Sequence, residues 1–501
     1  MDESPGRSST VKNLGGQPQH GRKDMTQQRK IRRRAFLGRV AAGAAAVSSS
    51  MIAAEKTQPG TAAASALDRF GGMLFTGSEK TGQFRVERIN GRHILITPEG
   101  HGFLCLGINH ANTLALDGTL FQQVYGGSWD RARDGILRQM RAWGFNTLGY
   151  GAPAELYHDV PHFVGGFLAP LQRTGHYLSS PVRGKGNWFK FPDVFDAAWQ
   201  QQAAAAIRAH CEQFRDDPFL IGFRLHDAPT WDVFKTRALR GTEWVSEIRR
   251  LDPDHAGKQQ YVRFLQSRYQ NDIHRCATLY DADAASFDDL LRWDFRRIPL
   301  GRPPVIADDR AFLGVIAQQY YSVVGRAFRA HAPQRLFFGE MFLCGDMPDE
   351  VLRAARDYID AVMIQQGDEL LPLYTPSHVF PEEDFERIHR ITGKPILIGD
   401  HQIGFVDDQH PDIVWGPPGT SEQEAARLTE DYLARLFAKP YVLGYMRCTY
   451  RDHWASRAEG RGHMLKRGLV SADGQPHAIL VAAYQRSFAR ITARIRDEVR
   501  G

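Results

Sequence analysis

Three carboxyl side chains stand at the ends of long apolar runs. Asp227 closes FLIGFRLHD (219–227), Glu340 lies in RLFFGEMF (335–342), and Asp400 lies in PILIGDH (395–401). A carboxyl group at the rim of an apolar environment can have its pKa raised into the range of a general acid, while a better-solvated neighbour stays ionised as a base. Other hydrogen-bonding groups occupy the same kind of position. Asn109 and His110 end FLCLGINH, His226 precedes Asp227, and Gln365 and Gln366 end AVMIQQ. His401 and Gln402 follow Asp400, and Arg447, Tyr450, Arg451 and Asp452 lie in YVLGYMRCTYRD. That is more polarity at run ends than solubility requires, although loop solvation and helix caps remain the plain alternative.

The chemistry such groups suggest is proton transfer without a cofactor. No His/Cys cluster has metal-ligand spacing. Gly126-Gly127-Ser128 lacks the Lys-Ser/Thr that completes a phosphate-binding loop. We therefore expect neither metal nor cofactor.

The elements that must position these residues are legible as a pattern. FRVERINGRHILITPEG (84–100) alternates apolar and polar residues about Asn90-Gly91, a two-residue hairpin signal. Apolar runs at 103–110, 145–150, 219–227, 335–342, 361–366, 395–401 and 441–452 then alternate with helical patterns such as WDRARDGILRQMRAW and SEQEAARLTEDYLARLF. Such alternation indicates parallel βαβ units. An α/β fold is expected, a (β/α)8 TIM barrel with an N-terminal β-hairpin, its eighth strand near HFVGGFL (162–168). A doubly wound sheet is the alternative. The helix-rich stretch 233–330 reads as an insertion. In such barrels chemistry sits at the C-terminal ends of the strands, where the polar residues fall.

The formal net charge is +6, but residues 1–54 hold ten Lys and Arg against three Asp and Glu, so the remaining 447 residues carry about −1. The basicity belongs to the leader, which removes nucleic acid as an expected partner. RRRAFLGRVAAGAAAVSSSMIAA places Arg33 and Arg34 before Phe36-Leu37 and an Ala-rich run, and resembles a twin-arginine (Tat) export signal. The expected organisation is a signal over 1–54, a linker over 55–80 and one domain over 81–490, in a periplasmic or secreted protein. The apolar run is too short to span a bilayer, and no cysteine near it suggests a lipid anchor. Five scattered cysteines (Cys105, Cys211, Cys276, Cys344, Cys448) argue against a disulfide framework. Nothing in the sequence indicates an oligomeric state.

FRVERINGRHILITPEGHGFLCLGINHANT, RAWGFNTLG, FPDVFDAAW, DDPFLIGFRLHDAPTW, TGKPILIGDHQIG and YVLGYMRCTYRD, taken together and in order from about residue 84 to 485, resemble the beta-agarase-like glycoside hydrolases of the retaining TIM-barrel clan. The resemblance implies hydrolysis of O-glycosidic bonds in a poly- or oligosaccharide, a galactan or an anionic glycan. Gly107-Ile108-Asn109-His110 matches the first strand, where the polar pair would contact sugar hydroxyls. On the fourth strand the family's acid/base glutamate is replaced by Ala228 and the preceding amide by Asp227. On the seventh the nucleophilic glutamate is replaced by Asp400. On the eighth an aromatic platform is replaced by a cation at Arg447.

Retention requires carboxyl groups about 5–5.5 Å apart and inversion about 6.5–9.5 Å. Shortening one carboxylate and shifting the other both tend to widen the gap. The expectation is an inverting site with Asp400 as base and Asp227 or Glu340 as acid. Asn109, His110, His226, Trp231, Gln365, His401, Arg447 and Tyr450 are expected to bind the carbohydrate, with Trp188, Phe189, Trp415 and Trp454 as further stacking candidates. Arg224 and Arg447 could grip sulfate or uronate groups, or be neutralised by Glu340 or Asp452. The rival expectation is a carbohydrate-binding pseudoglycosidase that has lost its acid.

Overall fold

The computed structural model describes residues 67–501, apart from 75–77, 112–117, 153–155, 158, 167, 169–176, 179–190, 228, 367–374, 407–418, 455–463 and 466. The first strands, β1 (Arg85–Ile89) and β2 (Arg92–Ile96), pair antiparallel with Ile89 opposite Arg92. Asn90 and Gly91 make the turn at φ 48° and 85°, the left-handed conformation that such tight connections demand. β3 (Gly102–Phe103) adds to β2.

Nine strands then form a wholly parallel sheet. They are β4 (Cys105–Ile108), β5 (Thr147–Leu148), β6 (His162–Gly165), β9 (Leu220–Arg224), β10 (Leu336–Phe337), β11 (Met341–Leu343), β12 (Val362–Gln365), β13 (Ile396–His401) and β14 (Val442–Arg447), in the order β10-β9-β6-β5-β4-β14-β13-β12-β11. Two small antiparallel ladders lie outside it: β7 (Tyr177–Leu178) with β8 (Phe191–Pro192), and β15 (His453–Trp454) with β16 (Met464–Leu465). β10 and β11 are pieces of one segment, yet one pairs with β9 and the other with β12. The sheet is curled and its connections are helical, an α/β barrel-like fold. The weakly signalled run at 162–168 contributes a strand.

Sheet residues are buried on both faces, as parallel strands covered by helices require. One face, with Leu106, Leu148, Phe223, Ile364 and Ile398, packs on the helices. Among those helices Glu422–Ala438 packs on Ala478–Arg500, and Pro303–His331 on Ala197–Gln213. The other face, with Ile221, Met341, Met363, Leu397 and Met446, joins Phe70, Phe84, Leu95 and Phe103 from the N-terminal segment. Each such side chain contributes about 1.5–3 kcal/mol on burial. The N-terminal segment packs where the strands start, beside Phe219, Leu336 and Ala361. Polar groups on this face are thereby confined to the opposite, C-terminal ends.

Between β9 and β10 the chain forms the helices Val233–Arg240, Trp244–Arg249, Ala256–Arg268, Ile273–Tyr280, Phe287–Arg292 and Pro303–His331.

Candidate functional site

Asp400, near the end of β13, is buried and held by neighbours from two other strands. Asn109, one residue past β4, donates its amide to Asp400 Oδ1 at 3.0 Å and to the Gly399 carbonyl at 2.9 Å. Tyr150, past β5, donates its hydroxyl to Asp400 Oδ2 at 2.5 Å. The local sequence reserves this space: a Cβ on Gly149 would lie 1.7 Å from Asn109 Oδ1. Burial pushes the Asp400 carboxyl above the usual range, and bonds from Tyr150, Asn109 and the Cys448 thiol pull it back. The Tyr150 hydroxyl is held protonated, first by burial and then by the charge of Asp400.

Asp227 has the contrasting environment. Its Oδ1 is shut off from solvent with no hydrogen-bond partner among the described residues. Its pKa is pushed up to about 6, chiefly by burial. The Arg224 guanidinium opposes that rise, and the charge of Asp400 adds to it. The two aspartates therefore feel one another, but Asp400 receives donors from Tyr150, Asn109 and Cys448 while the buried oxygen of Asp227 receives none among the described residues. Those donors favour ionisation of Asp400 relative to Asp227.

Three further groups share this end of the sheet. Arg224, at the end of β9, lies with its guanidinium carbon 4.7 Å from the Tyr150 ring centre. His110 adopts φ 52° and sets its ring edge-on to Tyr150, centroids 4.5 Å apart. Gln365 pairs in register with Asp400 and has a buried Oε1 without a partner among the described residues.

Glu340 is engaged elsewhere. It is fully buried, accepts the His226 backbone N–H at 2.7 Å, and meets the His226 ring at 3.3 Å. The Tyr320 hydroxyl, from the helix Pro303–His331, donates to its other oxygen. The expected arginine partner is not found: neither Arg224 nor Arg447 is within ion-pair distance among the described residues. Glu340 and His226 thus brace the ends of β9 and β10 against a helix, and the structure groups Asp227, not Glu340, with Asp400.

Four expected carbohydrate contacts lie in the protein interior. The Trp231 ring is buried against Trp244, Tyr320 and Tyr321 at centroid distances of 4.8, 5.8 and 6.0 Å. Tyr450 is buried, stacks on Trp143 and donates its hydroxyl to Gln139. Arg447 is fully buried under Tyr484, with its guanidinium donating to the carbonyls of Cys448 and Arg467 at 2.8 and 2.6 Å. Asp452 is its neighbour in sequence only, bonding His477 and the Gly468 N–H at 2.8 and 2.7 Å.

His401 stacks on Tyr432 and bonds the Ser377 carbonyl through Nε2 at 2.8 Å. A carbonyl only accepts, so Nε2 carries the proton and Nδ1 accepts from Tyr445 at 2.9 Å. Burial holds this imidazole neutral, its pKa lowered to about 3. The physical reason for His401 is register: Ile398 to His401 on β13 spans only Tyr445 to Arg447 on β14, which breaks the period-two alternation of β13. Arg447 keeps the alternation of β14 and shares the helix-packed face with Tyr445. Gln366 likewise serves the fold, accepting from Tyr432 and donating to the carbonyls of Pro376 and Val379.

Ala228, Trp188, Phe189 and Trp415 lie outside the described residues, as does the side chain of Trp454. Sequence reasoning missed Tyr150 and Cys448 as site residues. Tyr150 is the last residue of FNTLGY, the same strand-end position that drew attention to Asn109. No group of three or more His, Cys, Asp or Glu side chains is arranged to hold a metal among the described residues, and no helix there is long and apolar enough to cross a membrane.

No protein-family model matches the chain. Beta-agarase A of Vibrio sp. (strain JT0107) is 25% identical over 378 residues, covering 71% of this chain and 35% of that protein. Beta-agarase B of the same organism is 22% identical over 375 residues, 73% and 37% of the respective chains. The chain thus spans about a third of the length of these curated relatives. Among solved structures, an exo-beta-agarase superposes with a TM-score of 0.74 at 20% identity, over 90% of this chain and 70% of that one. An agarase superposes at 0.70 with 22% identity, over 86% and 68%. The resemblance carried by the motifs is therefore met again in whole-chain comparison: this chain is beta-agarase-like, and the solved structures share its fold.

Proposed function

We propose that this chain is a glycoside hydrolase that cleaves O-glycosidic bonds in a galactan-type poly- or oligosaccharide, with Asp400 as base and Asp227 as acid. The observation that carries the reading is the asymmetry of the two coupled aspartates. Asp400 is held by the Tyr150 hydroxyl and Asn109 amide, whereas the buried oxygen of Asp227 has no donor. Asp227 gives its proton to the glycosidic oxygen as the bond to the anomeric carbon breaks. Asp400 takes a proton from the water that attacks that carbon from the other side, so the product anomer is inverted. Asn109, His110 and Gln365 offer hydrogen bonds to sugar hydroxyls. The resemblance to beta-agarases supports a galactan as the substrate class.

The scaffold in this reading is a (β/α)8 barrel over 81–490, with the helices between β9 and β10 as an insertion. Support comes from the strand order, whose two ends are pieces of the single segment 336–343. Residues 1–54 act as a Tat-type signal, directing the protein to the periplasm or beyond, and the linker expected over 55–80 is cut short by Phe70 and Met73, which are buried in the core.

A second reading has its own observation. Ala228 stands where the resemblance places the acid/base, which fits a carbohydrate-binding protein without turnover. NMR of the anomeric protons, on neutral and sulfated galactans and uronate polymers, separates the two. Hydrolysis with initial inversion, abolished in Asp400→Asn, is expected. Retention assigns Asp400 a nucleophilic role instead. Binding without cleavage across the panel favours the non-catalytic protein.

A further inference from the structure

Arg224 is 5% exposed, yet its guanidinium makes no ion pair and no hydrogen bond among the described residues, and its Nη1 is shut off from solvent without a partner. The other deeply buried guanidiniums are all occupied. Arg249 bonds Asp309 and Ser246, Arg335 bonds the carbonyls of Leu220 and Arg215, and Arg447 bonds those of Cys448 and Arg467. Burying a charge is costly unless it is paired, so an unpaired cation is retained for something that arrives later.

Its position is fixed and its space reserved. The Tyr150 ring covers one face at 4.7 Å, and the hydroxyl of that ring is bonded to Asp400. On the facing strand a Cβ at Gly165 would lie 2.4 Å from Arg224 Cγ. Asp227 is within electrostatic reach of it but not within ion-pair distance. As the acid it carries a proton, and then leaves the guanidinium uncompensated.

We propose that Arg224 is a subsite for an anionic substituent, a sulfate ester or a uronate carboxylate, on the sugar bound between Asp227 and Asp400. The planar fork of a guanidinium matches two oxygens of either group. The inference rests on the glycosidase reading and narrows its substrate to an acidic glycan.

The test is calorimetric titration of full-length Asp400→Asn protein with neutral galacto-oligosaccharides, their sulfated forms and galacturonate-containing oligosaccharides. The same titrations are run with Arg224→Gln or Arg224→Lys added, folding being checked by circular dichroism. One anionic class is expected to bind more tightly than the neutral one, and which class does so identifies the group. Arg224→Gln should remove that preference, roughly a tenfold to hundredfold loss, while Arg224→Lys keeps part of it.

Equal binding of neutral and anionic ligands overturns the inference, as does a preference that survives Arg224→Gln or an absence of binding to all three. Turnover by the unsubstituted protein tells the two ideas apart. Cleavage without anionic preference removes the subsite and leaves the hydrolase. An Arg224-dependent preference without cleavage of any ligand does the reverse.

Discussion

In the helices between β9 and β10, the deeply buried carboxylates face cations, and Lys258 donates instead to the carbonyls of Arg249 and Trp293. Arg249 donates to Asp309 and approaches Glu243 at 3.6 Å, and Arg237 reaches Glu243 at 2.8 Å. Asp308 takes Arg268 at 2.8 Å and the hydroxyls of Tyr269 and Tyr280 at 2.5 and 2.9 Å. At the strand ends the pattern is broken. Arg224 has no ion pair among the described residues, and Asp227 and Gln365 each keep a buried oxygen unbonded there. Both regions exclude water, so the difference lies in what completes them. The helical network makes its ion pairs within the chain and contributes to the fold, although Glu243 Oε2 and the Nε atoms of Arg237 and Arg249 have no hydrogen-bond partner among the described residues. The strand-end cluster is left incomplete, as a site that must exchange protein contacts for ligand contacts has to be.

Substitutions in the two regions should therefore separate activity from stability. Asp400→Asn has the largest expected effect: a loss of turnover on the order of 10²–10⁴-fold with near-normal thermal unfolding. Full activity in that variant, measured by release of reducing ends, would collapse the distinction. Arg249→Met should do the opposite. Leaving Asp309 and Glu243 buried with Arg237 as their one remaining cation should cost about 3 kcal/mol in urea unfolding, with activity per folded molecule preserved.

Tyr150→Phe removes one donor to Asp400. Because that bond lowers the aspartate pKa, its loss should raise it and move the acidic limb of the pH–rate profile upward. Turnover should fall roughly tenfold or somewhat more. An unmoved acidic limb would separate Tyr150 from the base.

Asp227 gives the smallest and most specific effect. Its folded pKa of about 6 lies above its ordinary 3.8, so the native state binds more protons between these values. Stability is therefore lost as pH rises through that window, and the full penalty applies above it. Asp227→Asn should raise the melting temperature by a few degrees above pH 6 and by nothing below pH 4. The same proton makes activity fall as pH rises through about 6 in the unsubstituted protein. A melting difference that is flat with pH would remove Asp227 as the titrating acid.

The fold was legible because parallel strands covered on both faces read as unbroken apolar runs, which is how β9, β12, β13 and β14 stand out. β6 was the weak signal: its four residues HFVG run straight into Gly166. Within the site, Asn109, Asp227 and Asp400 were visible as polar residues at strand ends. What the sequence does not carry is direction. An extra residue in β13 sends His401 towards Tyr432, and the plain alternation of β14 puts Arg447 on the face of Tyr445, towards Tyr484. Trp231 and Tyr450 look like sugar platforms by type, yet nearby aromatic rings bury both. Tyr150 was passed over because FNTLGY reads first as a strand, and its hydroxyl shows its role only once β13 is beside it.

The segment from Leu336 to Leu343 supplies both ends of the nine-strand order, as a two-residue piece beside β9 and a three-residue piece beside β12. An edge strand with a long row of free N–H and C=O groups is a template for another chain, and is how sheet proteins aggregate. Here the terminal pieces are too short to offer such a row. The large sheet is thereby spared the usual hazard of edge-to-edge pairing.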